Sequence, residues 1–158
     1  MRIIYTKPTL TDLSQGSRIS FVRQFRRMSQ DDVSTELGLT GECKRRSMTR
    51  YEKGDRNPKE DRTKILAKIF NVSYYAIKKY DYKDPLDLFY TLMWLEEIIP
   101  KYQINLSLVP NIDKDDIKQI KDFMKIWEEK RIKRNNRNIT YDEYVEWKLN
   151  YEVKKWVV

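Results

Sequence analysis

Histidine is absent from this sequence, and cysteine occurs once, at Cys43. Catalysis by a histidine base or nucleophile is therefore excluded, and a transition-metal site, which takes its ligands mainly from these two residue types, is not expected. A single cysteine cannot form an internal disulfide, which fits a reducing compartment. Lys44 and Arg45 could activate the Cys43 thiol as a redox switch, but lone cysteines more often act as inert small residues. We expect no enzymatic activity and no cofactor.

Glycine and proline are also scarce, with 4 and 5 residues among 158. This composition, together with 40% hydrophobic residues, argues against a disordered or fibrous chain. The richest apolar run, LFYTLMWL at residues 88–95, is too short to cross a bilayer. The first residues, MRIIYTKPTLTD, lack the sustained apolar core of a signal peptide. These features predict a soluble cytoplasmic protein that does not bind a membrane.

Acidic residues are few in the first half of the chain. Residues 1–80 contain 18 Lys and Arg against 9 Asp and Glu, whereas residues 81–158 contain 14 against 15. The net charge of +8 therefore arises entirely in the first half. A basic half beside a near-neutral half indicates a module that binds a polyanion, joined to a second part with another role.

Hydrophobic periodicity predicts a mainly α-helical protein. Apolar residues three or four positions apart indicate five short helices in the first half and further helices in the second. We divide the chain into an N-terminal arm at 1–16, a five-helix domain at 17–80 and a smaller, mostly helical C-terminal domain at 81–158. The segment 102–111 is predicted as a strand or an extended link. The apolar stripe of the fourth helix comprises Ile65, Leu66, Ile69 and Phe70.

Capping residues predict where these helices begin and end. Ser29 with Asp32, and Thr140 with Glu143, have the three-residue spacing of a capping box. Glycine and asparagine tolerate the left-handed conformation after a helix, and proline tolerates the first helical turn. The other predicted boundary residues are Gly16, Gly38, Gly54, Pro58, Asn71, Ser73 and Pro85.

The segment ECKRRSMTRYEKGDRNP, residues 42–58, holds six Lys and Arg side chains. It follows a capped helix and a glycine, which is the form of a helix-turn-helix unit. A helix fits the DNA major groove, where each base pair presents a distinct pattern of donors and acceptors. On this helix Met48 and Tyr51 point to one side and seat it on the domain. The residues predicted to point outward are Arg45, Arg46, Thr49, Arg50 and Lys53, although a charge run can also be a merely solvated face.

Residues 17–77 resemble the Cro/C1-type (XRE-like) helix-turn-helix family of bacterial and phage regulators. The resemblance lies in RISFVRQFRRMSQDDVSTELGL, SMTRYEKGDRNP and KILAKIFNVS. It implies a five-helix, lambda-repressor-like domain that binds double-stranded DNA, with an ion pair between Arg23 and Glu52. It also implies a phosphate contact by Gln30. The implied base contacts are Arg45, Arg46, Thr49 and Arg50.

The turn between the two helices departs from the family pattern. The stretch LTGECKRR is longer by about one helical turn than the usual three or four residues. Either the loop is extended or the recognition helix starts early, near Cys43, so that Lys44 joins the base contacts. Ser34 also replaces the small alanine often found where the two helices cross. Lys53 and Arg56, which flank the end of the basic helix, are assigned to DNA phosphates.

The predicted function is that of a sequence-specific DNA-binding transcriptional regulator, a repressor that occupies an inverted-repeat operator. One helix-turn-helix reads too few base pairs for specificity in a genome, so we expect a homodimer held by residues 81–158. The apolar residues available for that contact are Leu86, Phe89, Leu92, Met93, Trp94, Trp147, Tyr151 and Trp156. Phe89 and Trp94 fit either this contact or the core of one chain. The alternative is an anti-CRISPR-type inhibitor, whose C-terminal half binds a protein target while the N-terminal half is autoregulatory.

Overall fold

The computed structural model describes residues 7–41, 44–98 and 114–151. The predictions for Cys43, for the strand or link at 102–111 and for Trp156 lie outside these ranges. Within them the chain forms eight α-helices and no strand, which confirms the predicted mainly α class. No helix of these ranges is long and apolar enough to cross a membrane. The helices are α1 (Gln15–Phe25), α2 (Gln30–Glu36), α3 (Lys44–Lys53), α4 (Glu60–Phe70), α5 (Tyr74–Ile77), α6 (Pro85–Ile98), α7 (Lys114–Asn135) and α8 (Tyr141–Leu149).

Most helix ends lie where the capping residues predict them. Ser29 and Asp32 form a reciprocal capping box at the start of α2, and Thr140 and Glu143 form another at the start of α8. Asn71 ends α4 in the left-handed conformation, with φ of 52°. Each of these caps satisfies backbone groups that a helix end otherwise leaves without a partner.

The prediction that Gly16 breaks the chain before the first helix is wrong. Helix α1 already begins at Gln15, so Gly16 lies in its first turn. A Cβ atom built on Gly16 would lie 2.3 Å from the carbonyl oxygen of Tyr51 and 2.7 Å from that of Glu52. Glycine is therefore needed here for the close approach of α1 to the end of α3.

Two other boundaries also differ from the prediction. Pro58 does not open the fourth helix, because Lys59 is its N-cap and Glu60 its first residue. The fifth helix, which the sequence predicts to continue to Tyr80, ends at Ile77 in the structure. These shifts leave the order of the five N-terminal helices unchanged.

Helix α1 packs between α3 and the C-terminal helices. Its Gly16 side approaches α3, and Phe21, on roughly the opposite side of the helix, meets the edge of Trp94 in α6. The two ring centroids are 5.2 Å apart with an interplanar angle of 86°. The Trp94 indole N–H also donates to the carbonyl oxygen of Ala76, 3.1 Å away. The helix assigned to DNA reading and the C-terminal half therefore rest on the same element.

The aromatic and aliphatic residues of α6 serve the core of a single chain. Phe89, Leu92, Met93 and Trp94 are all buried, and Phe89 stacks on Phe123 of α7 with ring centroids 4.5 Å apart. Their assignment to a contact between two chains is wrong, because they are already covered by their own chain. Self-association through other residues of 81–158 stays a prediction.

Helix α8 is joined directly to the five N-terminal helices. Arg26, next to the end of α1, makes a two-pronged ion pair with Glu146, with N–O distances of 2.5 and 2.9 Å. The backbone N–H of Ser73 donates to the carbonyl oxygen of Leu149 at 3.0 Å. The proposed division between residues 80 and 81 is therefore crossed by an ion pair and by backbone hydrogen bonding.

A buried charged network holds α6 against α8. The Lys148 ammonium, on a side chain only 6% exposed, pairs with Glu97 and, at 3.3 Å, with Glu96. The Tyr144 hydroxyl donates to Glu96 at 2.8 Å, and the Tyr141 hydroxyl donates to Glu97 at 3.0 Å. Burial acts to raise the pKa of Glu97, but the Lys148 charge and the hydrogen bonds outweigh it and lower that pKa. Glu97 therefore stabilises the fold in its ionised form.

We predict that Gly16→Ala destabilises the protein by about 1–3 kcal/mol, although alanine favours helix, because the methyl group forces α1 away from α3. Gln24→Ala, at an exposed position of the same helix, should change the free energy of unfolding by less than about 0.5 kcal/mol. Urea denaturation followed by circular dichroism measures both. Equal stability of the two variants would contradict the close helix approach.

We predict that Lys148→Met costs about 3–5 kcal/mol at pH 7, because it leaves the Glu97 carboxylate, on a side chain only 8% exposed, without its cation. In the variant, burial raises the pKa of Glu97, so the folded state regains stability as pH falls from 7 towards 5. The stability of the wild type changes with pH in the opposite direction. Because the pKa of its Glu97 is lowered, the folded wild type loses stability as pH falls below about 4.5. Denaturation at several pH values tests this, with Lys148→Arg as the charge-retaining control. A pH-independent difference between Lys148→Met and wild type would contradict the network.

Candidate nucleic-acid interface

Helix α3 is seated on α1 and α2 by its two large apolar side chains. Met48 and Tyr51 are both buried, as their spacing predicts. They occupy one side of a helix that otherwise consists almost entirely of polar and charged residues. The opposite side of α3 therefore has to face solvent or a ligand.

Arg23 and Glu52 form the ion pair that the family resemblance implies. Arg23 Nε lies 2.5 Å from Glu52 Oε1, and Arg23 Nη2 lies 3.1 Å from Oε2. Arg23 Nη1 also donates to the carbonyl oxygen of Met28 at 2.8 Å. The Arg23 and Glu52 side chains are only 15% and 9% exposed, so water screens the pair weakly. The pair fixes the C-terminal end of α3 on α1.

Gln30, the first residue of α2, links this ion pair to the surface of α3. Its Nε2 donates to Glu52 at 2.9 Å, and its Oε1 accepts from Thr49 at 3.0 Å and from Arg45 at 3.2 Å. No pattern in the sequence indicates this bridge. An amide group has two N–H donors, so one donor of Gln30 is not used by these contacts.

Three of the predicted DNA-contacting cations point outward together. At about 100° per residue, Arg46, Arg50 and Lys53 lie on the side of α3 that is opposite Met48 and Tyr51, and all three are exposed. Within the described part of the chain, none of their side chains makes a salt bridge or a hydrogen bond. Their charges are therefore available to an external anion.

Lys44 does not lie with these three residues, which differs from the prediction. It is four residues before Met48 and so shares the inward side of α3. Its ammonium donates to the hydroxyl of Thr35 in α2, 3.2 Å away. Arg45 is also held by α2, through Gln30. The structure thus separates the basic residues into a pair turned towards α2 and a group turned outward.

The connection between α2 and α3 is long, as the sequence predicts. Helix α2 ends at Glu36 and α3 begins at Lys44, so seven residues separate them. A start of α3 next to Cys43 agrees with the early-start alternative. At the other end of α3, the backbone N–H of Arg56 donates to the carbonyl oxygen of Arg50 at 3.3 Å. This turn places the exposed Arg56 beside the outward basic group.

Ser34 is fully buried where α2 faces the rest of the domain, and its hydroxyl has no hydrogen-bond partner among the described residues. Burying a hydroxyl without a partner costs about 1–3 kcal/mol. The position therefore suits a small apolar residue, in agreement with the alanine of the family pattern.

No group of three or more potential metal ligands occurs within the described ranges. Comparison with protein-family models, with curated proteins and with solved structures found no match to this chain. The residues and geometry of α1 to α3 therefore carry the functional interpretation.

We predict that Glu52→Ala lowers the free energy of unfolding by about 3 kcal/mol, because it leaves the weakly exposed Arg23 charge without its carboxylate and the Gln30 Nε2 without its acceptor. Glu60→Ala is the matched control. It breaks an exposed i,i+4 pair with Lys64, whose N–O distance is 2.6 Å, and should cost no more than about 0.5 kcal/mol. Chemical denaturation of both variants measures the difference. Similar costs would mean that the Arg23–Glu52 pair does not hold α3.

Proposed function

We propose that the protein is a sequence-specific DNA-binding transcriptional regulator that acts as a repressor. The observation that carries the proposal is the outward group of Arg46, Arg50 and Lys53 on a helix whose other side is buried. A helix of this kind can enter the major groove, where arginine forks recognise the O6 and N7 atoms of guanine. Occupation of an operator would then block transcription without any chemical step.

The basic residues take different roles in this proposal. Arg46 and Arg50 read base edges, because they are exposed and lie on the outermost side of α3. Lys53 and Arg56, at the end of α3 and in the turn after it, contact phosphates and set the position of the helix. Thr49 lies beside the outward group and completes the base-reading surface.

Gln30, Arg45 and Lys44 form the side of the interface nearest α2. The unused amide donor of Gln30 is proposed to bind a DNA phosphate, while its other contacts hold Arg45 and Thr49 in place. Arg45 reaches a base or a phosphate from this fixed position. Lys44 contributes to the base contacts only if its ammonium leaves Thr35 on binding.

The proposed operator is an inverted repeat bound by a homodimer. Two recognition helices related by a two-fold axis read two half-sites about one DNA turn, roughly 34 Å, apart. This doubling of the contacted sequence supplies the specificity that one helix-turn-helix lacks.

We predict that Arg46→Ala and Arg50→Ala each weaken binding to a DNA duplex selected from a random pool, by about 1–3 kcal/mol, and relax preference at one base position. Lys53→Ala should instead weaken binding to all sequences and lower the slope of log affinity against log salt by about one. Fluorescence anisotropy over a salt series measures these effects. Lys125→Ala, which removes one exposed cation from α7, is the charge-matched control and should bind as wild type.

The proposal fails if Arg46→Ala and Arg50→Ala retain wild-type affinity, site preference and salt slope. It also fails if Lys125→Ala reduces affinity as much as these variants do, because binding would then reflect net charge and not α3.

A further inference from the structure

Ile65 of α4 faces solvent instead of the core. The sequence places it in an apolar stripe, and Leu66 and Phe70 of that stripe are indeed buried. Ile65, however, is 45% exposed. Among the described residues only three other large hydrophobic side chains are exposed, namely Tyr82, Ile126 and Ile132. An isoleucine in the middle of a helix surface is a potential contact point for another molecule.

Charged residues flank Ile65 in a particular order. At about 100° per residue, Asp61 and Lys68 lie about 40–60° to one side of Ile65, while Arg62 and Ile69 lie at similar angles on the other side. Asp61 and Lys68 are exposed, and neither makes a salt bridge within the described part of the chain. They are seven residues apart, about 10 Å along the helix axis, so they cannot pair with each other.

We propose that α4 is a contact surface for a second copy of this chain, packed antiparallel about a two-fold axis at Ile65. A two-fold axis brings the same residue of both chains together at the centre. It also pairs residues across the contact. A residue three or four positions before Ile65 lies beside the residue three or four positions after Ile65 in the second copy, on the same flank of the helix. Asp61 then meets Lys68 of the second copy, and the reverse pair forms on the other end. On the opposite flank, the stem of Arg62 covers Ile69.

The other exposed isoleucines lack this self-complementarity. On α7, a two-fold axis at Ile126 would place Asp122 beside Glu129 of the other copy, which puts like charges together. An axis at Ile132 would place Glu128 against Asn135, and Glu128 is already paired with Arg131 at 3.0 Å. Of the three exposed isoleucines in the described ranges, only Ile65 therefore has flanking charges that match a copy of the same helix.

The contact is small, because α4 has 11 residues and about three turns. It lies below the roughly 1,000 Å² expected of a permanent interface, so the association is weak in free solution. Two copies held on adjacent sites of one polymer would associate more strongly, because their effective concentration is high. The inference does not require the proposed function, since the two α4 faces are complementary without DNA.

Charge exchange tests the pairing. Asp61→Lys and Lys68→Asp each replace two attractive pairs by two repulsive ones, so each variant should dimerise at least about tenfold more weakly than wild type in analytical ultracentrifugation. An equimolar mixture of the two variants should associate as wild type does, because both cross-chain pairs are then opposite in charge. Asp122→Lys on α7 is the control and should leave association unchanged. Circular dichroism verifies that each variant is folded.

Disulfide trapping tests the position of the axis. In a Cys43→Ser background, Ile65→Cys should form a covalent dimer under mild oxidation, because the two-fold axis brings both copies of position 65 together. Ile132→Cys, at a site of similar exposure (48%), should stay monomeric.

Several results would overturn the proposal. In ultracentrifugation, these are a wild type that stays monomeric at the highest concentration, single charge variants that dimerise as wild type does, and a mixture of the two variants that fails to associate. In disulfide trapping, the contradicting result is a crosslink through position 132 and not through position 65. The last result would assign the contact to residues 81–158. If the Ile65→Cys variant forms the covalent dimer but the protein does not bind DNA, the result would count against the proposed function and not against the α4 contact.

Discussion

The position of α3 depends on the way α1 is held from two sides. On one side, Gly16 allows α3 to approach closely, and Arg23 fixes its end through Glu52. On the other side, Phe21 packs against Trp94 of α6. Because close-packed interiors transmit displacements, a change in the C-terminal helices would alter the support of α3. The C-terminal half therefore acts as part of the framework that presents α3, whatever further role it has.

The charges that link the C-terminal helices to their neighbours are paired. The Lys148 network neutralises buried carboxylates between α6 and α8, and Arg26 is neutralised by Glu146. On α3, by contrast, Arg46 and Arg50 extend away from the domain without a described partner. Unpaired cations gathered on one face create a positive potential that attracts a polyanion. The three exposed cations on one side of α3, more than the net charge of +8, support the proposed DNA interface.

Local sequence signals were sufficient to predict the helices but not their neighbours. The capping box at Ser29 and the left-handed Asn71 depend on residues close in the chain, and both are confirmed. Periodicity identifies an apolar stripe without showing what covers it. For this reason a contact with a second chain was expected of Trp94 as well as a core role, although its own chain buries it, and Ile65 was placed in an apolar stripe although it is exposed. The bridge made by Gln30 could not be predicted either, because it depends on the crossing of α2 and α3.

The most direct test of the central claim is to map the DNA-binding surface on the full chain. Amide chemical shifts of the ¹⁵N-labelled protein would be followed as a DNA duplex selected from a random pool is added. The account predicts that the largest changes occur in α3, in the first turn of α2 and in the turn that contains Arg56. Large changes confined to α7 and α8, with the amides of α3 unaffected, would contradict it.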